Sequence, residues 1–273
     1  MAHVENLRFS AEYLQYQYGN SEKLRIRIET HERYSEGTET FTDDVVRHLE
    51  LYPQMAVLDI GCGSGEWWPR LPEVRAIVGV DLMKGMLQEA GAEHSTLHPH
   101  PQLVQADASK LPFPDASFDR VLCSGVLYHL RDCRPALSEM RRLLRPGGRA
   151  VITTVGADTM RRLLDIHGQA AKDLGFEVMP APRIFNMNDT PLVEAVFASV
   201  ERHVLEGALV FPSVEPALRF HATNRVDYIG PYPLDGSHRE PLLVAMKEKI
   251  EALIRAEGEF RVPKSVGWFV ATA

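Results

Sequence analysis

The chain has 273 residues, of which 45% are hydrophobic and 25% charged, a composition that argues against disordered, collagen-like and repeat-array proteins. No apolar run is long enough to cross a membrane, and residues 1–20 lack the apolar segment of a secretory signal. The net charge of −7 disfavours nucleic acid as a partner, because an acidic surface repels phosphate. Three cysteines cannot all pair, so we expect the reducing environment of the cytoplasm.

The N-terminal part of the chain predicts two helices. Residues 24–34 fit both a strand and a helix, and we favour the helix, on which Arg27 and His31 share one face. Residues 41–46 predict the start of a second helix, with Thr42 as its N-terminal cap.

Apolar runs then alternate with helical patterns, which predicts a doubly wound α/β sheet. The runs suit strands buried on both faces, and they lie at residues 56–60, 76–80, 103–105, 120–123 and 149–154. The clearest helix between them covers residues 135–145, which Pro135 begins and the sequence PGG at 146–148 ends.

The alternation loosens in the last third of the chain. We expect a helix within residues 156–175, a loop with a short helix at 176–200, a strand at 199–206, a turn-rich segment at 225–238, a helix at 239–257 and a strand at 260–271. In the last strand, Val266, Trp268 and Val270 alternate with other residues and thus share one face.

The most informative segment is a glycine-rich turn, which reads VLDIGCGSGE at 57–66. Glycines let a ligand approach the backbone closely, and dinucleotides use the pattern G-x-G-x-x-G to place a pyrophosphate on a helix N-terminus. Here the glycines stand at 61, 63 and 65, and Glu66 follows. A carboxylate at the start of a helix would repel a pyrophosphate. S-adenosylmethionine, which carries no phosphate, therefore fits this turn better than a nicotinamide dinucleotide.

Two aspartates stand where the adenosine part of such a ligand would need them. Asp81 ends the second strand and can accept hydrogen bonds from ribose hydroxyls. Asp107 follows the third strand and can accept from the adenine amino group, with the Ala108 amide on a ring nitrogen. Either aspartate alone could equally be a loop or capping residue. Their order after the glycine-rich turn is the more specific signal.

On these motifs the chain resembles the class I S-adenosylmethionine-dependent methyltransferases. The resemblance is strong over residues 45–155. The motifs are similar to those of the branch that includes the ubiquinone and menaquinone biosynthesis methyltransferases. The motifs that carry it are VLDIGCGSG at 57–65, VD at 80–81, DASKLPF at 107–113, SFDRV at 117–121, LYHL at 127–130 and LRPGG at 144–148.

The resemblance implies a seven-stranded, mostly parallel Rossmann-like sheet, with N-terminal helices and helical insertions that form a cap. The strand at 260–271 would run antiparallel between the fifth and sixth strands. A single methyltransferase domain would cover residues 1–273, with a helical lid at 1–44, a cofactor-binding core at 45–155 and a substrate cap with the last strands at 156–273.

The same resemblance implies the site residues. The substrate pocket would include Tyr128, His31 and Tyr18. His129 would be the catalytic base, because an ordinary histidine pKa suits proton transfer near pH 7; packing or capping is the other interpretation. Arg27 could pair with the cofactor carboxylate or lie on a solvated helix face. The cofactor-binding residues would be Asp59, Gly61, Cys62, Gly63, Gly65, Asp81, Leu82, Asp107, Ala108, Ser124 and Arg27.

We therefore expect transfer of a methyl group from S-adenosylmethionine to an O, N or C nucleophile of a small molecule, by a monomer or homodimer and without a metal. A histidine group at 94, 98 and 100 lies in a proline-marked loop and lacks further metal ligands. The alternatives are a tRNA or protein methyltransferase, a non-catalytic cofactor-binding module and a nicotinamide-dependent oxidoreductase. The sequence SGV at 124–126 replaces the Asn/Asp-Pro-Pro-aromatic motif of amino-methylating DNA enzymes.

Overall fold

The computed structural model describes residues 9–178, 184–223, 225–230 and 235–273. Parts of the predicted lid, of the loop at 176–200 and of the turn-rich segment at 225–238 lie outside these described residues.

The N-terminal part is helical, as predicted. It contains α1 (Ala11–Tyr18), α2 (Glu22–Tyr34), the two-residue strand β1 (Ser35–Glu36) and α3 (Phe41–Leu49). The predicted cap of α3 is wrong. Helical hydrogen bonding begins at Thr40, whose carbonyl oxygen accepts from the Asp44 amide at 2.8 Å, so that Thr42 already lies in the first turn.

The strands predicted in the middle of the chain are all present. In order, this part contains β2 (Ala56–Ile60), β3 (Ala76–Asp81), α4 (Lys84–Glu93), β4 (Gln102–Gln105), β5 (Phe118–Ser124), α5 (Arg134–Leu143) and β6 (Leu144–Val155). The helix predicted to reach residue 145 ends earlier, because Leu144 already pairs with Phe118 in the sheet.

The α-helix expected directly after the glycine-rich turn does not form. Residues 61–67 make turns, and a single 3-10 turn (Trp68–Arg70) follows. Pro69 and Pro72 lack the amide hydrogens that an α-helix needs here. The Trp68 indole is buried instead, and its Nε1 donates to Asp59 Oδ2 at 2.9 Å.

The last third adds further helices and the final strands. It contains α6 (Arg161–Asp173), β7 (Glu177–Val178), α7 (Thr190–Glu194), β8 (Ser199–Phe211), α8 (Val214–Ala222), β9 (Ile229–Gly230), α9 (Arg239–Glu257) and β10 (Phe260–Thr272). Strand β8 is longer than predicted because it pairs with β10 along its whole length, from Ser199 opposite Thr272 to Phe211 opposite Phe260.

The main sheet of the described residues has the order β1-β8-β10-β6-β5-β2-β3-β4. Strands β2 to β6 are parallel, and β10 runs antiparallel between β6 and β8, as predicted. The count is eight rather than seven because β1 pairs with the edge of β8 through two residues. The α/β fold is confirmed, while its division into lid, core and cap stays a prediction.

Helices cover both faces of the parallel part. Leu122 of β5 and Val151 of β6 pack with α3, whereas their neighbours Val121 and Ile152 pack with the apolar stripe of α5. This alternation explains why the strands read as continuous apolar runs. None of the described helices combines the length and apolarity needed to cross a bilayer.

The N-terminal helices form an arm that docks on α4. The Ser21 amide donates to Glu89 Oε2 at 3.2 Å, and Arg25 pairs with Glu93 at 2.8 Å. The closest approach is backbone on backbone: a Cβ atom added to Gly85 would stand 2.0 Å from the Gly19 carbonyl oxygen. The arm therefore depends on the missing side chain at Gly85.

We predict that Gly85→Ala releases the arm, because its new methyl group would overlap the Gly19 carbonyl. Limited proteolysis should then cut within residues 9–34 about fivefold faster or more. The matched control is Gly91→Ala on the same helix, whose Cβ would meet only the flexible end of Leu103 at 3.2 Å. Equal cleavage rates in the two variants would contradict the role of this contact.

Candidate cofactor and substrate site

The glycine-rich turn after β2 has a backbone that favours glycine. Gly61, Gly63 and Gly65 have φ angles of 69°, 56° and 84°. A Cβ atom on Gly61 would stand 2.2 Å from Cγ2 of Val126, which follows β5. The turn is therefore packed against the end of the neighbouring parallel strand.

Most amides of this turn are already bonded within the protein. The Gly61 and Cys62 amides both donate to the Val80 carbonyl oxygen, at 2.7 and 3.0 Å, and the Gly65 amide donates to the Cys62 carbonyl at 2.9 Å. The Gly63 amide donates to Asp81 Oδ2 at 2.9 Å. A pyrophosphate would find these four donors taken, and no α-helix N-terminus follows to supply others.

Asp81 stands at the end of β3 beside the turn. Its Oδ1 also accepts from the Met83 amide at 2.8 Å. A carboxylate has about four acceptor positions, so Asp81 can still accept two further hydrogen bonds, as ribose hydroxyls require. Burial raises the pKa of Asp81.

The loop after β4 lies next to Asp81. Asp107 is exposed and its Oδ1 accepts from the Ser109 amide at 2.7 Å, while Ala108 is half-buried. Gln105 joins the two loops by donating to the Leu82 carbonyl oxygen at 3.0 Å. The predicted ribose and adenine residues are thus brought together, and their contact with a cofactor stays a prediction.

Asp59 and Cys62 lie beneath the turn rather than on its surface. Asp59 is 1% exposed, and burial raises its pKa to about 7. Its Oδ2 accepts from Trp68, whereas its Oδ1 has no partner within the described part of the chain. Burial also raises the pKa of the Cys62 thiol, so this cysteine behaves as a core residue.

The segment after β5 meets the N-terminal arm. The Tyr18 hydroxyl lies 2.9 Å from His129 Nε2, and the ring of Tyr128 lies 4.5 Å from that of His129. Ser124 Oγ pairs with Thr153 Oγ1 at 2.9 Å across β5 and β6. The predicted pocket residues Tyr18 and Tyr128 therefore converge on the candidate base.

The pKa of His129, beside Tyr18, differs from the ordinary histidine value that the sequence analysis expected. Burial, with the nearby Arg27, lowers the pKa of His129 to about 3. Burial raises the pKa of Tyr18. Both groups are therefore neutral near pH 7, the tyrosine hydroxyl donates and His129 Nε2 accepts. The ordinary histidine pKa on which the base role rested does not hold at this position.

Arg27 lies on the inner face of α2. Its guanidinium carbon is 5.1 Å from the centre of the Tyr18 ring, and its Nη1 and Nη2 are buried without a hydrogen-bond partner among the described residues. Leu24, one turn earlier, would lie 3.2 Å from a Cβ atom on Gly63. Helix α2 thus covers the glycine-rich turn, and Arg27 is not on a solvated face.

His31 follows Arg27 by one turn and contacts residues that sequence reasoning missed. Its Nδ1 lies 3.1 Å from Lys264 Nζ on β10, and its ring meets that of Phe220 edge-on at 5.7 Å. A signal for Lys264 was present, since it has the same strand parity as Val266 and Trp268 and so falls on an otherwise apolar face.

Comparison with known proteins agrees with this site. Residues 58–152 match a family model described as a methyltransferase domain. The demethylmenaquinone methyltransferase of Staphylococcus aureus (strain MRSA252) is 34% identical over 120 residues, which cover 42% of this chain and 49% of that protein. The chain therefore matches about half the length of this relative.

Two solved structures share the fold. The YcgJ protein from Bacillus subtilis has a TM-score of 0.57 at 18% identity, with 85% of this chain and 97% of that chain covered. The cyclase SpnF has a TM-score of 0.51 at 17% identity, with 85% and 80% covered. At such identities the likeness concerns the fold alone, and a fold does not decide a reaction.

The sheet order and the glycine-rich turn agree with the match of residues 58–152 to a methyltransferase domain. The relatives that it matches over about half their length are demethylmenaquinone methyltransferases, and S-adenosylmethionine is the cofactor of such domains.

The lowered pKa values predict that neither His129 nor His31 takes up a proton between pH 5 and 8. Burial lowers the pKa of His31 to about 3 as well. The ring ¹⁵N shifts of both histidines in an NMR pH titration, assigned through His129→Gln and His31→Gln, should stay those of neutral rings. A midpoint above pH 5 for either ring would show that the site is wetter than this packing implies.

Proposed function

We propose that the protein catalyses methyl transfer from S-adenosylmethionine to an O, N or C nucleophile of a small molecule. The observation that carries the proposal is Arg27, which lies on the arm that covers the glycine-rich turn and whose buried Nη1 and Nη2 have no hydrogen-bond partner among the described residues. We also propose a cytoplasmic monomer or homodimer.

The residues present fit this cofactor. Asp81 retains acceptor positions for ribose hydroxyls, and Arg27 retains two donors that suit a carboxylate in a bidentate arrangement. Gly61, Gly63 and Gly65 allow the positive φ angles that bring the backbone of the turn beside Asp81. Leu82, Asp107, Ala108 and Ser124, at the ends of β3, β4 and β5, complete the proposed cofactor residues. When bound, the cofactor would supply an activated methyl group.

The protein's own contribution is chiefly position and the exclusion of water. Methyl transfer needs a nucleophile held in line with the methyl group, and such alignment contributes on the order of 7–11 kcal/mol at best. The arm and the half-buried rings of Tyr18 and Tyr128 restrict the access of water to this place. His129, neutral and bonded to Tyr18, is proposed to position these groups rather than to remove a proton.

The alternatives fit less well. A tRNA substrate would have to approach a chain of net charge −7. A protein substrate would need an open groove, whereas the arm lies over the glycine-rich turn. The similarity to the demethylmenaquinone enzyme covers 42% of this chain, so we propose no quinol acceptor on that ground. A non-catalytic module would bind the cofactor without turnover on any acceptor.

We predict that the protein binds S-adenosylhomocysteine, the product form, in isothermal titration calorimetry. Asp81→Ala should weaken binding about tenfold or more, because hydrogen bonds to a charged group contribute about 1.5–3 kcal/mol. Arg27→Met should weaken it similarly. Asp165→Asn, an exposed carboxylate on α6, is the control and should leave affinity unchanged. Absence of heat with the unaltered protein would refute the cofactor assignment.

We predict that His129→Gln keeps kcat within about tenfold of the unaltered protein, because the amide oxygen can still accept from Tyr18. A general base would instead contribute about 10²–10⁴-fold. The measurement is the rate of S-adenosylhomocysteine release with any acceptor that turns over. A loss of about a hundredfold or more at unchanged cofactor affinity would restore His129 to the role of base.

A further inference from the structure

The arm buries a glutamine at the centre of its inner face. Gln17 is 3% exposed and is the buried residue of α1, whereas Leu14 and Tyr18 beside it are half-buried and Gln15 is exposed. An amphipathic helix ordinarily places an apolar side chain at such a position. A buried amide there needs hydrogen-bond partners, because a buried polar group without a partner costs free energy.

The Gln17 amide has a partner for its nitrogen and none for its oxygen. Its Nε2 donates to the Tyr13 hydroxyl at 3.3 Å, whereas its Oε1 is buried and has no hydrogen-bond partner among the described residues. An amide oxygen only accepts, so the group that would satisfy it is a donor. The arm therefore carries an unpaired acceptor in addition to the unpaired donors of Arg27.

The end of α1 crosses the edge of the sheet above the glycine-rich turn. The Gly19 carbonyl lies against Gly85, on the helix that follows β3, and the Tyr18 hydroxyl bonds His129, which follows β5. In the sheet, β2 lies between β3 and β5, so the glycine-rich turn at the end of β2 lies between these two contacts. The inner face of α1, on which Gln17 is buried, therefore faces this turn.

The two unpaired groups of the arm both adjoin Tyr18. Gln17 precedes Tyr18 in α1, and the Arg27 guanidinium carbon lies 5.1 Å from the centre of the Tyr18 ring. The amide oxygen accepts, whereas the guanidinium is positively charged and donates. A ligand that carries an ammonium group beside a carboxylate would satisfy both, and the amino acid part of S-adenosylmethionine bears these two groups on one carbon atom.

We infer that Gln17 Oε1 accepts a hydrogen bond from the ammonium group of S-adenosylmethionine, while Arg27 pairs with the carboxylate of the same ligand. The inference rests on the proposed function and assigns a further binding residue to that site. The arm thus recognises the amino acid part of the cofactor, whereas Asp81 accepts from the ribose. A bound cofactor removes the cost of two unpaired groups on the arm, and its binding therefore stabilises the closed arm.

Four ligands separate the contributions of the two charged groups. They are S-adenosylhomocysteine, its analogue without the amino group, its analogue without the carboxylate, and methylthioadenosine, which lacks both groups. Each ligand is titrated calorimetrically into the unaltered protein. We expect loss of the amino group to weaken binding about tenfold or more, because a hydrogen bond from a charged donor is lost.

Two variants assign these contributions to residues of the arm. Gln17→Met removes the acceptor, and it should weaken binding of the two ligands that carry the amino group about tenfold and change the other two by no more than about twofold. Arg27→Met should weaken only the two ligands that carry the carboxylate. Gln15→Met, an exposed glutamine of the same helix, is the control and should bind all four ligands as the unaltered protein does.

An equal loss for all four ligands in Gln17→Met would overturn the inference, because it would show that Gln17 only packs the arm. Unchanged affinity of this variant for S-adenosylhomocysteine would also overturn it and leave a buried water as the partner of Oε1. If Gln17→Met does not fold, as judged by circular dichroism, Gln17→Leu takes its place.

The unaltered protein provides a test that needs no variant. Equal affinity for S-adenosylhomocysteine and its analogue without the amino group would overturn the inference. In all these outcomes S-adenosylhomocysteine still binds, so the proposed function stands. Absence of its binding would instead refute the proposed function, and this inference with it.

Discussion

The carboxylate of Asp81 joins the glycine-rich turn to the next parallel strand, and the rest of the site depends on that bond. Because parallel strands end at one edge of a sheet, a short side chain on β3 reaches the Gly63 amide after β2. The turn is thereby held with its amides facing inwards, and Leu24 of the arm can close on it. The surface so formed suits a ligand without phosphate, which the arm then separates from water.

Burial sets the chemistry of the chamber above this edge. Histidines and tyrosines that would titrate freely on the surface are held neutral, so that His129 accepts from Tyr18 and His31 Nδ1 accepts from Lys264. The charged groups that act on the Tyr18 ring include the guanidinium of Arg27 and the carboxylate of Asp81.

Local patterns predicted most of the fold. The five parallel strands, helix α9 and the antiparallel position of β10 agree with the expectations because continuous apolar runs and alternation report burial directly. The wrong predictions concern places where neighbouring residues override the local pattern. Two prolines and the buried indole of Trp68 prevented the helix after the glycine-rich turn, and backbone bonding moved the start of α3 to Thr40.

The sequence by itself determined the sheet, the glycine-rich turn and the aspartates at the strand ends, because strand order and spacing place those residues at one edge. Only the tertiary structure decided what faces them. The tertiary structure places Arg27 over the turn. It also brings Tyr18 to His129 and Lys264 to His31, and the residues of each of these two pairs are more than a hundred positions apart. The protonation states of these side chains follow from their burial. Burial is a property of the packed chain, so a local sequence pattern does not reveal it.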